Sequence, residues 1–187
     1  MSRALRWLFA SLACAGALSC EQHAGNPNHS RSDTVSSASQ EMSGPSLFSS
    51  ERLAPALQAL RAKAGGKLLR LEIRARELTL QAEDQSSPGA VLEVHYRDGK
   101  VGEPEHATLR GKGQLPDNLF DASELKLEAI PELTREAVRR VDAESGVVDL
   151  VLVRRNLPES EDVRLRVYVT SPRKSGYVDA DKHGQPL

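Results

Sequence analysis

Residues 163–170, VRLRVYVT, place Val163, Leu165, Val167 and Val169 at every second position, with Arg164, Arg166, Tyr168 and Thr170 between them. Successive side chains of a β-strand point to opposite faces of a sheet. A period of two therefore predicts a strand with one face in a core and one in water, and a helix cannot satisfy it. The same signature recurs where Leu69, Leu71 and Ile73 alternate with Arg70, Glu72 and Arg74. It returns where Leu92, Val94 and Tyr96 alternate with Glu93, His95 and Arg97. Between these runs the phase slips around Arg76-Glu77 before Leu78, Leu80 and Ala82 resume it, which predicts a bulge or a bend. Val147–Val153 is almost continuously apolar and predicts a central strand covered on both faces. Tyr177-Val178 opens a last short strand.

Two other segments carry the helical period. Leu53, Leu57, Leu60 and Ala64 share one face of a helix predicted over Pro55–Ala64, with Pro55 in its first turn and Gly65-Gly66 closing it. Ile130, Leu133, Ala137 and Val141 form the stripe of a second helix over Pro131–Ala143, whose Glu132, Arg135, Glu136, Arg139 and Arg140 face water. Helices packed on one face of antiparallel strands make the fold class α+β. Leu47-Phe48-Ser49-Ser50-Glu51-Arg52-Leu53 is echoed by Leu119-Phe120-Asp121-Ala122-Ser123-Glu124-Leu125, and a proline opens the helix after each. The body thus reads as two related helix-then-antiparallel-strands units, residues 47–114 and 115–187, packed as one or two small domains. Aromatics are only 4% of the chain, so the core is built from Leu, Val and Ile.

The leading segment, MSRALRWLFASLACAGALSC, is an export signal: Arg3 and Arg6 precede an uncharged apolar run from Trp7 to Leu18. A permanent bilayer span takes about 20 apolar residues, so this run is too short to be one. Ala17-Leu18-Ser19-Cys20 resembles the lipobox of bacterial lipoproteins. The resemblance implies a signal peptide of residues 1–19 and a lipidated, palmitate-bearing Cys20. It implies a chain anchored to a bacterial membrane, on its periplasmic or outer-surface side. The alternative is simple export with cleavage after Ala15-Gly16-Ala17, which leaves Cys20 as a lone thiol. Residues 20–46 follow as a polar linker rich in Ser, Asn and Gly, with a coil span of roughly 25–30 Å. The two cysteines both lie within the first 20 residues, which excludes a disulfide framework and a cysteine-based zinc site from the body.

Arg70, Arg74, Arg97, Arg164 and Arg166 all take the polar register of their strands, with Arg154 and Arg155 ending another. They form a candidate face for an anionic partner, an envelope protein or an anionic polymer, set against the reading of an ordinary solvated sheet face balanced by Glu72, Glu93 and Asp149. The formal net charge of −1 argues against a nucleic-acid partner. No nucleophile elbow, phosphate loop or H-E-x-x-H run occurs, and the sequence calls for no cofactor, catalytic residue or metal site. An alternative function is a hydrolase or metal-dependent enzyme using His95 and His106, which flank a turn, or the Asp179–Asp181 turn. Asp179-Ala180-Asp181-Lys182-His183-Gly184 matches the opening of a calcium loop, but its fifth position is a nitrogen ligand. The turn is read instead as an Asp-capped hairpin with Gly184 at positive φ. Helix-then-strand order in tandem behind an export signal, with the turn Asp179 to Gly184 as the shared local cue, resembles PepSY-like domains and tandem β-lactamase-inhibitor proteins. That resemblance implies a non-enzymatic binding or inhibitory role.

Overall fold

The computed structural model describes residues 46–110 and 113–187; the leader, Cys20 and nearly all of the predicted linker lie outside them. In chain order the elements are α1 (Ser50–Ala64), β1 (Leu68–Ile73), β2 (Glu77–Glu83), β3 (Val91–Arg97), β4 (Lys100–Val101) and β5 (Glu105–His106). Then come α2 (Leu115–Asn118), two short 3-10 turns (Ala122–Glu124 and Leu127–Ala129), α3 (Ile130–Asp142), β6 (Val147–Arg155), β7 (Val163–Thr170) and β8 (Ser175–Asp181). The fold is α+β: three helices and one antiparallel sheet of eight strands, ordered β4-β3-β2-β1-β6-β7-β8, with β5 also pairing β3.

Alternation puts one row of apolar side chains across six strands. Val94, Leu80, Leu71, Val153, Leu165 and Ala180 are successive cross-strand partners from β3 to β8, and all are buried. Against this face α1 sets Leu53, Ala56, Leu57, Leu60 and Ala64, while α3 sets Ile130, Leu133 and Ala137. Each such large aliphatic side chain contributes about 1.5–3 kcal/mol on burial, which is why the period alone locates the core.

The strands of residues 47–114 and those of 115–187 meet at the β1–β6 pair, where Leu71, Glu72 and Ile73 face Val153, Leu152 and Val151. The two Leu-Phe motifs sit near the ends of these strands. The Leu47 amide donates to the Ala75 carbonyl just past β1 at 2.8 Å. The Leu119 carbonyl accepts from Arg155 Nε at the end of β6, also at 2.8 Å. Leu47, Leu119 and Phe120 are buried.

The phase slip near Arg76 is the expected bend at Ala75-Arg76, tight enough to reverse the chain: the Arg74 amide donates to the Glu77 carbonyl at 2.8 Å and closes the β1–β2 hairpin. The register irregularity of β1 lies instead between Leu68 and Arg70. β6 is central, but only Val151–Val153 are buried and Val147 is 60% exposed, because the helices cover one face of the sheet. α1 begins a turn earlier than Pro55, so this proline lies inside the helix. Pro55 removes the amide that the Glu51 carbonyl would otherwise accept from, and Glu51 is an exposed residue. Gly66 ends the connection to β1 at φ 67°, and a Cβ there would sit 2.2 Å from the Glu83 carbonyl oxygen, so no larger residue fits.

Candidate functional site

The face turned away from the helices carries a matching row that is polar except at Leu152. His95, Thr79, Glu72, Leu152, Arg166 and Asp179 are successive cross-strand partners from β3 to β8. Arg70, Arg164 and Arg166 stand on this face by register, and Arg97 lies opposite Glu77 at its edge. Arg74 follows the end of β1.

The five candidate arginines do not form one basic surface. Arg70 pairs with Glu72 at 2.5 Å, Arg74 with Asp149 at 2.8 Å and Arg97 with Glu77 at 2.8 Å. Arg166 grips Asp179 through Nε at 2.6 Å and Nη2 at 2.8 Å, a bidentate contact that raises its already high pKa further. The same guanidinium lies 4.1 Å from the centre of the Tyr177 ring, and Tyr177 is tilted against Tyr168 with ring centres 6.1 Å apart. Arg164 reaches Asp179 only at 3.8 Å. One side of the face is thus a lattice of ion pairs, and on the other Arg164 and Arg166 both turn to Asp179.

Arg154 and Arg155, which the sequence sets at the end of a strand beside the five candidates, differ in register: Arg154 stands on the open face and Arg155 pairs with the buried Val163. Arg154 is the direct cross-strand partner of Arg164, and both residues line a notch with Arg155, Asn156 and Arg166 over Leu152. The polar loop 156–162 joins β6 to β7, so positions on either side of it pair across the hairpin.

The histidines do not converge. His106 pairs with Leu92, which occupies the register of the helix-covered face, whereas His95 stands in the opposite register. His95 instead joins a hydrogen-bonded chain, with Nδ1 3.1 Å from Thr79 Oγ1 and Nε2 3.1 Å from Glu93 Oε1. Hydroxyl, imidazole and carboxylate in sequence are the order of a nucleophile, its base and an orienting group. Thr79 sits mid-strand in β2, between β1 and β3. The chain is best read as cross-strand polar pairing.

Asp179 is occupied by Arg166, and Asp181 Oδ1 accepts from the His183 and Gln185 amides at 2.9 Å each, with Gly184 at φ 79°. These two carboxylates serve a salt bridge and a turn. Among the described residues no group of three or more His, Cys, Asp or Glu is arranged to hold a metal ion. Two open hollows adjoin the paired arginines. One, of about 550 Å³, is lined by Arg74, Arg97 and the exposed Val147; the other, of about 390 Å³, by Arg97, His95 and Lys100. A larger one of about 710 Å³ lies elsewhere, at the end of α1, and mixes Arg61 and Lys67 with Glu83 and Asp121.

No protein-family model matches the chain, and no curated protein matches it. A crystal structure of a "putative lipoprotein" from Clostridium difficile 630 is similar in fold, with a TM-score of 0.46 and 11% identity, covering 79% of this chain and 95% of that one.

Proposed function

We propose that this chain is an exported protein, lipidated at Cys20 and held by residues 20–46 at a bacterial membrane, on its periplasmic or outer-surface side. Its body, two related units spanning 47–114 and 115–187, is a non-enzymatic interaction module of the cell envelope. It presents its uncovered sheet face to an envelope protein or an anionic polymer. The observation that carries the binding reading is a row that is polar on five of its six strands, interrupted only by Leu152 on β6, and edged by the exposed Tyr177 and its stacked Arg166. A broad face of charges, hydroxyls and an accessible aromatic ring suits recognition of another surface. The anchor rests on the apolar run, too short to span, that ends at Ala17-Leu18-Ser19-Cys20.

Photo-crosslinking in intact cells tests the module. A benzophenone side chain at Tyr177, which is 56% exposed, is expected to give one discrete adduct with an envelope component. The same group at Arg135, on the water side of α3, is expected to give none. Equal adducts from both positions, or none from Tyr177, would remove this reading.

A further inference from the structure

We infer that the notch bounded by Arg154, Arg155, Arg164 and Arg166 at the β6–β7 end of the open face is a seat for a phosphate group. The inference rests on the proposed use of that face as a binding surface and gives the partner its chemistry. Among the described residues, Asp179 is the one carboxylate paired with any of these four guanidinium groups. The other strand arginines, Arg70 and Arg97, each have a carboxylate of their own. On the open face Arg154, Arg164 and Arg166 meet two carboxylates, Asp179 and, directly across from Arg164, Asp181, which is taken up by turn amides, while Arg155 pairs with Val163 in the helix-side register; Arg154 is thereby left without a carboxylate.

The arrangement is also held in place before any ligand arrives. Arg155 donates through Nε to the Leu119 carbonyl at 2.8 Å and through Nη1 to the Glu161 carbonyl, neutral acceptors that fix the group without cancelling its charge. Both Nη atoms of Arg164 lie 3.2 Å from the Asn156 side-chain oxygen when that amide is turned to satisfy them. Arg166 is locked between Asp179 and Tyr177. Arg154 has no carboxylate partner among the described residues, and it lies directly across from Arg164. Like charges opposed on neighbouring strands are unfavourable by themselves, and a bound dianion converts that repulsion into attraction. Leu152, only 7% exposed although it faces away from the helices, floors the notch and keeps the local dielectric low. The free space is about 10 Å³, room for a single oxygen rather than for a ring, so the ligand inserts one oxygen and spreads the others over the guanidinium rim. A free phosphate or a phosphomonoester does this; a carboxylate has too few oxygens and half the charge. The phosphomonoester belongs to a lipid headgroup of the phosphatidic acid type or to a soluble or polymer-borne ester.

The test uses the exported chain carrying C20S, so that binding owes nothing to an anchor. Arginine Nε–H resonances are followed while inorganic phosphate is added, and again with acetate. Saturable shifts at Arg154 and Arg164 are expected, with phosphate binding at least about tenfold tighter than acetate. Arg154→Gln should weaken phosphate binding by about tenfold, the effect of one charge-assisted contact, and Arg135→Gln should leave it unchanged. No saturable shift, equal affinity for acetate, or an equal loss in Arg135→Gln would overturn the assignment. Co-sedimentation with phosphatidic acid vesicles, absent with phosphatidylcholine vesicles and lost in Arg154→Gln, would assign the phosphate to lipid headgroups. Phosphate binding without co-sedimentation would assign it to a soluble or polymer-borne ester. Crosslinking from Tyr177 does not depend on phosphate, so the face and its ligand chemistry can fail separately.

Discussion

Asp142 ends α3 with its carboxylate turned inward, where the side chain is buried. It accepts from Arg173 Nη2 at 2.8 Å, from Ser145 Oγ at 3.0 Å and from the Glu144 amide at 3.2 Å. The Arg173 guanidinium, foremost, holds this carboxyl well below the usual carboxylate range. A depressed pKa in the fold means that its stabilisation is present above the unfolded value, near 3.8, and fades as pH falls towards the folded one. Asp142→Asn is therefore expected to lower the Tm most at neutral pH, with the gap to wild type narrowing as the pH drops below about 4. Thermal melts at pH 7, 4 and 2.5 check this, and a gap independent of pH would contradict it. Nothing in the sequence distinguished Asp142 from the other acids on α3, because Arg173 reaches it from beyond β7.

Among the elements, the helices and the long strands were the most legible. Their periods express burial of one face, a property each segment carries locally. α3 shows the contrast most sharply. Leu133 is buried against the sheet, and Arg135 pairs with Glu132 in water. Leu133→Ala is expected to cost about 3 kcal/mol through lost transfer energy and a residual cavity, and Arg135→Ala less than about 0.5 kcal/mol. Urea unfolding of the two variants measures the difference, and similar midpoints would contradict the packing described. The phase slip marked the place of the β1–β2 turn but not that it reverses the chain. Arg74-Ala75-Arg76 contains no glycine, asparagine or proline to mark a reversal. The turn is held instead by the Arg74 amide on Glu77 and by Leu47 docking on Ala75.

At the scale of the whole molecule, export and anchoring separate from the chemistry of the body. Radiolabelled palmitate is expected to enter wild type and to be absent from Cys20→Ser, with the mature mass of the variant lower by the lipid. Equal labelling of both would remove the anchor and leave simple export after Ala17. The candidate site was only partly legible at this scale. Sequence alternation placed Arg164 and Arg166 on a polar register, but it could not tell which arginines are neutralised. That depends on which carboxylates lie across the next strand.

The sequence by itself determined the α+β class, the residues of the core and the polar register of the strands, because periodicity and polarity act over a few residues at a time. Only the tertiary structure decided that β1 and β6 join the two halves in one sheet, that His95 and His106 take opposite registers, and that Arg154 faces Arg164 with no carboxylate partner among the described residues. Those outcomes depend on register between strands far apart in the chain. A shift of one residue there would exchange the two faces and re-pair every charge.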